Sequence, residues 1–361
     1  MNNTNKTLII AEAGVNHNGD KQMAFDLIDA AAEAGADVVK FQTFKAHKLV
    51  TQHAQQAEYQ VANSGKKESQ LAMLQALELE QSLHFELQAA AEANNIEFLS
   101  TAFDDDSLDF LVKEVGVKRL KVPSGELTNA PFVLKHAQAG LPLIISTGMA
   151  TMSDIEQALA VIAFGGLNPK STPDSIDSCW QAYHSEEGQS FIQQNVTVLH
   201  CTTEYPAPPS EINLRVMETF RRSFNTQVGY SDHSAGIAIP IAAAALGAEV
   251  IEKHFTLDKT LPGPDHKASL EPSELKQMVD GIRVAEQALG VSVKSVQPSE
   301  FKNSFVARKS LVATKPIKVG ETFTKENLGV MRPGSGLSPA LYWQMLDTVS
   351  NIDYQVGDLI E

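Results

Sequence analysis

Residues 8–42 read LIIAEAGVNHNGDKQMAFDLIDAAAEAGADVVKFQ and contain the pattern that decides the fold. The short apolar runs LIIAE (8–12) and DVVKFQ (37–42) each predict a buried strand. Between them, the apolar and alanine positions of MAFDLIDAAAEAG (23–35) recur at spacings of three and four, and a glycine ends the segment, as in an amphipathic helix. A helix between two buried strands predicts a right-handed crossover and a parallel pairing of the strands.

The same unit recurs along most of the chain. Six further strands are predicted, at IEFLSTA (96–102), RLKVPS (119–124), LIISTG (143–148), VTVLHCT (196–202), QVGYSD (227–232) and EVIEKHF (249–255). Eight strand–helix units predict an α/β fold that closes into a (β/α)8 TIM barrel. An open doubly wound sheet is the alternative, but the first strand is not followed by the glycine-rich dinucleotide fingerprint of a Rossmann fold.

The units end with the helical pattern DGIRVAEQALG (280–290), so residues 1–290 are predicted to form the barrel. Residues 291–304 are polar and predict a linker, and residues 305–361 predict a small β-rich domain with a thin core of its own. Two segments interrupt the repeat. Residues 45–78 predict a long loop on the catalytic face, and residues 165–194 predict a solvated surface insertion on the opposite face.

The composition, with 43% hydrophobic and 20% charged residues, is that of a globular protein with a large core. The net charge of -15 argues against nucleic acid or an anionic membrane as a partner, because both require a positive surface. The only cysteines, Cys179 and Cys201, cannot form a disulfide framework. The polar start MNNTNKT lacks the apolar stretch of a signal peptide, and we expect a cytoplasmic protein.

Polar side chains occupy nearly every strand end, and in a barrel these ends converge on one mouth. Any one of them is explained by a chain turning into solvent. The convergence of lysines, glutamates and histidines at one mouth instead predicts a functional site. The residues concerned are Glu12, Lys40, Thr101, Lys121, Ser124, Glu126, Ser146, Tyr205, Ser231, Asp232, His233 and His254.

His233 and His254 follow neighbouring strands at matched height, so both imidazoles can reach one metal ion. A single buried histidine is more often satisfied by a backbone carbonyl, but the pair favours a metal site. Two protein nitrogens with open positions suit an octahedral ion, Mn²⁺, Mg²⁺ or Co²⁺, better than a closed tetrahedral zinc site.

Lys40 and Lys121 also point into the predicted mouth. A buried ammonium needs an anion or a shifted pKa, so ion pairs with glutamates or a Schiff-base lysine are both open. The surrounding hydroxyls favour a third interpretation, a cradle for a phosphate and a carboxylate. The loop LPGPDHK (261–267) adds Asp265 to the mouth, on a segment stiffened by proline and glycine.

Eight motifs, in order along the chain, resemble those of the sialic acid (nonulosonate) synthase family. They are IIAEAGVNHNG, VKFQTF, LKVPSGE, STGM, HCTTEYPAP, GYSDHS, EKHFT and PGPDHK, and the tail from Ser310 to Gly336 resembles the antifreeze-like (SAF, β-clip) domain of the same family. The resemblance covers essentially the whole chain. It implies condensation of phosphoenolpyruvate with an acylated amino sugar in a homodimer whose C-terminal domains are swapped.

The resemblance also implies roles for individual residues. His233 and His254 would bind a divalent metal, most simply Mn²⁺, and Glu12, Glu126 and Asp265 would be catalytic. Phosphoenolpyruvate would contact Lys40, Thr101, Lys121, Ser124, Ser146 and Ser231. The sugar would contact Glu12, Tyr205, Asp265 and, from the partner's tail, Arg332. The expected reaction is attack of phosphoenolpyruvate C3 on the sugar aldehyde, addition of water at C2 and release of phosphate with C–O cleavage, with Glu12 or Glu126 moving the proton.

One motif differs from that of the sialic acid synthases of animals and meningococci. At the positions of Thr203 and Glu204, those proteins have an asparagine and a small apolar residue. The TTEYPAP form is similar to bacterial legionaminic acid synthases, so the acceptor is either N-acetylmannosamine or 2,4-diacetamido-2,4,6-trideoxymannose. Three other functions remain open. They are a Schiff-base aldolase using Lys40 or Lys121, a sister synthase that condenses a phosphosugar, and a glycan- or ice-binding tail on an inert barrel. The phosphosugar synthase would need arginines in the mouth, and the strand ends carry none.

Overall fold

The computed structural model describes residues 6–56, Val61 and 69–361. Two compact units, residues 1–290 and 291–361, divide the chain. The first unit holds eight strands: β1 (Leu8–Gly14), β2 (Val38–Thr43), β3 (Glu97–Ala102), β4 (Leu120–Val122), β5 (Leu143–Ser146), β6 (Val196–Cys201), β7 (Gln227–Asp232) and β8 (Val250–His254).

Helices cover the outside of these strands. In the first unit they are α1 (Lys21–Ala34), α2 (Ala46–Leu49), α3 (Gln70–Ala76), α4 (Gln81–Ala93), α5 (Asp105–Phe110), α6 (Ala130–Gln138), α7 (Met152–Leu167), α8 (Ile176–Tyr183), α9 (Glu186–Asn195), α10 (Pro209–Ile212), α11 (Val216–Phe224), α12 (Ala238–Ala245) and α13 (Pro272–Leu289). A π-helical turn (Leu111–Val115) and 3-10 turns at Ser124–Glu126 and His266–Ala268 complete them. Helix α1 shows how its sequence sets its ends: Asp20 accepts from the backbone of Met23 at the start, and Gly35 ends it in the left-handed conformation.

The strands are parallel and follow one another around a barrel, which confirms the predicted fold. Hydrogen bonds join them in the order β3-β2-β1-β8-β7-β6-β5-β4, so the first and last strands are neighbours, and β3 and β4 are in contact. The inward side chains form two layers because they alternate along each strand. The lower layer is apolar and includes Ile10, Val38, Leu99, Ile144, Leu199 and Val250. Two residues further along the same strands, the upper layer is mostly polar.

Both segments that interrupt the predicted repeat contain helices. The part of residues 45–78 that the structure describes forms α2 and α3, and the prediction of a loop throughout was wrong there; residues 57–60 and 62–68 lie outside the described part. Residues 165–194 are largely exposed, as predicted for a surface insertion, but they are helical: they form α8 and α9 after the end of α7 and bury Cys179, Tyr183 and Ile192. Their apolar side chains pack against α7 of the barrel. The sequence did not indicate this packing, because the segment is polar on average.

The second unit begins with helix α14 (Pro298–Ala307), which occupies part of the predicted linker. Its capping box between Gln297 and Glu300 supports a helix that lacks an apolar period. Strands β9 (Ser310–Ala313) and β10 (Leu328–Met331) pair antiparallel, and a 3-10 turn (Pro339–Leu341) precedes helix α15 (Tyr342–Met345). The small core consists of Leu311, Ala313, Ile317, Phe323, Leu328, Tyr354 and Ile360. Within the described residues, no helix is long and apolar enough to cross a membrane.

Candidate active site

A cavity of about 430 Å³ opens at the carboxyl ends of the barrel strands. Twelve of the fourteen residues assigned to the site from sequence line it: Glu12, Lys40, Thr101, Lys121, Ser124, Glu126, Ser146, Tyr205, Ser231, His233, His254 and Asp265. The exceptions are Asp232, described below, and Arg332. Arg332 belongs to the second unit. There it is exposed and its Nε donates to the carbonyl oxygen of Ala307. The parallel strands bring the others together because their carboxyl ends share one rim.

The floor of the cavity is a cluster of four buried charged side chains. Lys40 Nζ lies 2.6 Å from Glu12 Oε2 and 3.6 Å from Glu252 Oε2. Lys121 Nζ lies 2.9 Å from Glu252 Oε1. Each ammonium group therefore lies beside at least one carboxyl group, and such pairing offsets part of the cost of burying these side chains.

Burial and neighbouring charges shift the pKa values of three members of this cluster. Burial would by itself lower the pKa of Lys40, but the carboxylates of Glu12 and Glu252 outweigh it and hold that pKa above its usual value. Burial would raise the pKa of Glu252, yet Lys121 and Lys40 keep it well below the ordinary range. Glu12 differs, because burial and the neighbouring Glu252 raise its pKa more than Lys40 lowers it.

Hydroxyl groups surround the two ammonium groups, as the sequence predicted. Lys40 donates to Thr101 Oγ1 at 2.9 Å, and Lys121 donates to Ser146 Oγ at 2.6 Å. Ser231 donates to Glu252 Oε1 at 2.8 Å. Ser124 stands slightly apart, where its Oγ accepts from the backbone nitrogen of Gly148 at 3.0 Å. The floor therefore combines two ammonium groups, two carboxyl groups and several hydroxyls.

The imidazoles of His233 and His254 lie side by side with ring centroids 5.6 Å apart. His233 Nδ1 lies 2.6 Å from the carbonyl oxygen of Thr202, and its Nε2 lies 3.1 Å from the hydroxyl of Tyr205. Nδ1 of His254 is buried without a hydrogen-bond partner in the described structure. Burial, followed by His233, lowers the pKa of His254 well below its ordinary value, so this ring is neutral, as a metal ligand must be.

Asp265 approaches this pair from the loop after β8, with Oδ2 4.0 Å from His254 Nδ1. Burial and the charge of Glu12 raise the pKa of Asp265 to about 6. Glu126 is half-buried at the other side of the cavity, where its Oε2 accepts from Asn129 Nδ2 at 2.7 Å. Within the described residues, no group of three or more His, Cys, Asp or Glu side chains is arranged as a metal site. Any metal would therefore rest on the two imidazoles and open positions.

Sequence reasoning missed Glu252, the residue that joins the two lysines. The signal was present, because side chains alternate along a strand and Glu252 is two residues before His254 in EVIEKHF. The adjacent Lys253 points to the opposite side, where its Nζ lies 2.6 Å from Asp232 Oδ2 and both side chains are fully buried. Asp232 therefore belongs to a structural ion pair behind the barrel wall and not to the mouth.

One side of the cavity is apolar. Its wall is formed by Val15, Phe44, Leu49, Val50, Met73, Leu74, Leu77 and Phe103, most of which come from the β2–α3 region. Met73 and Leu77 are buried, while Leu74 is partly exposed. We call these eight residues the apolar wall. On the opposite side, the hydroxyl of Thr203 is buried and has no hydrogen-bond partner within the described part of the chain.

Comparison with known protein families identifies this arrangement. The model of the NeuB family matches residues 27–294, which include most of the barrel and its mouth. This chain belongs to the NeuB family. In this NeuB-family protein the SAF domain model matches residues 308–350, in the second unit.

Several relatives of this NeuB-family chain have names that describe an activity. It is 48% identical to the N,N'-diacetyllegionaminic acid synthase of Campylobacter jejuni over 98% of this chain and 99% of that protein. It is 44% identical to the enzyme of the same name from Legionella pneumophila, over 92% and 87% of the two chains. Among solved structures, the N-acetylneuraminic acid synthetase of Leptospira borgpetersenii, in complex with citrate, is 32% identical with a TM-score of 0.66, covering 84% of this chain and 93% of that one.

Proposed function

We propose that this chain is a nonulosonic acid synthase that condenses phosphoenolpyruvate with the open-chain form of an acylated amino sugar. The observation that carries this proposal is the pair of buried ammonium groups, Lys40 and Lys121, on the floor of a cavity whose rim holds two imidazoles. An anion can enter at the floor while an aldehyde lies against the rim. Membership of the NeuB family supports the same reaction.

Phosphoenolpyruvate would bind on the cavity floor. Its phosphate and carboxylate would take up the ammonium groups of Lys40 and Lys121 and the hydroxyls of Thr101, Ser124, Ser146 and Ser231. Such charge-assisted hydrogen bonds are roughly twice as strong as neutral ones. The anion would have to share both lysines with Glu12 and Glu252, which already occupy them.

A divalent metal fits the two imidazoles. The unpartnered Nδ1 of His254 and the closeness of the rings match one shared ion, since metal–nitrogen bonds are about 2.1 Å long. We propose Mn²⁺, with Mg²⁺ or Co²⁺ as alternatives, because few nitrogen ligands and neighbouring carboxylates suit octahedral ions. Such a cation would supply Lewis-acid polarisation of the aldehyde oxygen.

The reaction would then follow from the positions of the two substrates. C3 of phosphoenolpyruvate bonds to the aldehyde carbon, water adds to C2, and the C2–O bond to phosphate breaks, so that the oxygen from water becomes the keto oxygen. Glu12, Glu126 and Asp265 are the carboxyl groups near enough to the mouth to move protons. Tyr205 and Asp265 would hold the sugar, joined by the partner subunit's Arg332 in a homodimer whose C-terminal domains are swapped.

The apolar wall favours 2,4-diacetamido-2,4,6-trideoxymannose over N-acetylmannosamine as the acceptor. The former has a methyl group at C6 and a second acetyl group at C4, which can pack against Leu74 and its neighbours, whereas the latter has hydroxyls at both positions. A buried hydroxyl without a hydrogen-bond partner is costly. The names of the Campylobacter and Legionella relatives point to the same class of product.

The test is phosphate release from phosphoenolpyruvate with each of the two sugars in the presence of Mn²⁺. Phosphoenolpyruvate labelled with ¹⁸O at its bridging oxygen should transfer the label to the released phosphate. Label that remains in the keto acid would overturn the C–O cleavage step.

A Schiff-base aldolase is the less favoured alternative, because both lysines are committed to ion pairs and the pKa of Lys40 is raised, whereas a nucleophilic amine needs a lowered one. Treatment with borohydride and substrate should therefore leave the protein unmodified, and addition of a chelator should stop the reaction. Covalent trapping on Lys40 or Lys121 would reverse this assignment.

A further inference from the structure

One buried side chain, Asn16, joins two loops of the barrel mouth. It lies in the turn after β1 and is 1% exposed. Its Nδ2 donates to the carbonyl oxygen of Phe255 at 2.8 Å and to Ser269 Oγ at 2.9 Å. Phe255 directly follows His254, and Ser269 closes the loop after β8. The amide therefore uses both of its donor hydrogens to connect strand 1 with the two ends of that loop.

Ser269 extends this connection to a site residue. Its Oγ accepts from Asn16 and donates to the carbonyl oxygen of Asp265 at 2.7 Å. The backbone nitrogen of Ala268 also donates to this carbonyl at 3.2 Å. A chain of two hydrogen bonds thus runs from the Asn16 side chain to the backbone of Asp265, whose carboxylate faces His254.

A second contact between the same two loops lies next to the first. His266 Nε2 lies 3.2 Å from Asn18 Oδ1, and its Nδ1 lies 2.7 Å from Thr256 Oγ1. Gly263 passes directly over this ring, and a Cβ there would lie 2.6 Å from His266 Cδ2. This contact anchors His266, the residue directly after Asp265, whereas the connection through Asn16 and Ser269 reaches the carbonyl oxygen of Asp265 itself.

We infer that Asn16 is a positioning residue for Asp265, acting through Ser269. This inference rests on the proposed function insofar as Asp265 contacts the acceptor sugar. Loss of the amide removes one of the supports of the Asp265 backbone, while the floor with Lys40 and Lys121 stays as it is, because Asn16 contacts neither lysine. The binding of the acceptor sugar is therefore affected, whereas the binding of phosphoenolpyruvate is not.

The test compares Asn16→Ala, Ser269→Ala and the double variant by steady-state phosphate release with N-acetylmannosamine and 2,4-diacetamido-2,4,6-trideoxymannose. A displacement of about 1 Å can cost roughly a hundredfold in rate. We expect kcat/KM for the sugar to fall by at least roughly tenfold in each single variant, with the KM for phosphoenolpyruvate within about twofold of wild type. The double variant should be no worse than the poorer single variant, because both substitutions break one connection. If the KM for phosphoenolpyruvate rose by as large a factor as kcat/KM for the sugar fell, Asn16 would have a merely structural role and the inference would be overturned.

Hydrogen exchange gives an independent reading that needs no activity. Residues 257–269 should exchange faster in Asn16→Ala and Ser269→Ala, while α13 should keep its protection. The control is Asn94→Ala, since Asn94 also donates from Nδ2 to two acceptors, Asp29 and the backbone of Ala90, but on the surface. If wild type releases phosphate with neither sugar, the proposed function fails, whereas unchanged exchange in 257–269 would overturn the positioning role itself. If Asn16→Ala does not fold, Ser269→Ala, which keeps the bond from Asn16 to Phe255, decides the question.

Discussion

The ammonium nitrogen of Lys121 lies 2.9 Å from Oε1 of Glu252, on the floor of the barrel mouth. The other oxygen of this carboxylate lies 3.6 Å from Lys40 Nζ, so Glu252 forms ion pairs with both lysines. An incoming anion must compete with it. Glu252 is thus a counter-ion that the two lysines share.

We expect Glu252→Gln to destabilise the protein in phosphate-free buffer by about 3 kcal/mol, because it leaves buried positive charge without a partner. Inorganic phosphate should then raise the Tm of the variant more than that of wild type, since it binds the native state and replaces the lost charge. Thermal unfolding with and without phosphate measures both effects. Glu97→Gln is the control, because Glu97 pairs with Arg119 outside the cavity lining. An equal response to phosphate in Glu252→Gln and wild type would contradict the counter-ion role.

His233→Ala and His254→Ala should each weaken Mn²⁺ binding by at least roughly tenfold. Loss of a residue that is only hydrogen-bonded to a metal ligand already lowers metal affinity by about that factor. Calorimetric titration with MnCl₂ in the absence of substrate measures the affinity directly. His184→Ala serves as the control, because His184 is exposed and stacks on Trp180 away from the mouth. Unchanged Mn²⁺ affinity in both site variants would remove the metal assignment.

Leu74→Asn should lower kcat/KM for 2,4-diacetamido-2,4,6-trideoxymannose by roughly tenfold, the effect expected when a methyl group loses an apolar contact. The value for N-acetylmannosamine should change little, so the ratio between the two sugars is the quantity to measure. Leu246→Asn is the matched control, since Leu246 is 53% exposed and does not line the cavity. A ratio that stays constant would exclude the apolar wall from acceptor selection.

We expect His136 to contribute to the loss of stability of the fold at low pH. It is fully buried in α6, and burial lowers its pKa to about 4 from the ordinary 6.5, although the carbonyl of Phe132 opposes the shift. In the unfolded chain His136 therefore binds a proton below about pH 6.5, whereas in the native state it binds one only near pH 4. The free energy of unfolding therefore falls as the pH drops through this window. Between pH 7 and pH 5 the loss from this group is about 2 kcal/mol.

We therefore expect His136→Leu to lose about 2 kcal/mol less stability than wild type over that pH interval. Urea unfolding at the two pH values measures the difference, and His184→Leu, on the surface, provides the comparison. Equal losses in wild type and His136→Leu would show that His136 does not carry this sensitivity.

The fold followed from local patterns because the barrel repeats one unit. Apolar runs of strand length alternate with amphipathic helices, and each strand places its last inward side chain at the same rim. For that reason Lys40, Lys121, His233 and His254 could be assigned to one mouth from sequence alone. The helices in residues 165–194 could not, since their buried positions are few among polar ones and depend on the surface against which they pack.

What the sequence determined by itself is therefore the barrel and the residue types around its mouth, because strand alternation and the carboxyl-face rule depend only on local order. Only the tertiary structure decided which partners these residues have. Glu252 lies 131 positions after Lys121, and Asn16 lies 253 positions before Ser269. Closure of the barrel brings β1 next to β8 and places side chains of β4 and β8 in one interior, so a distance of 2.9 Å between two side chains cannot be read from their spacing in the sequence.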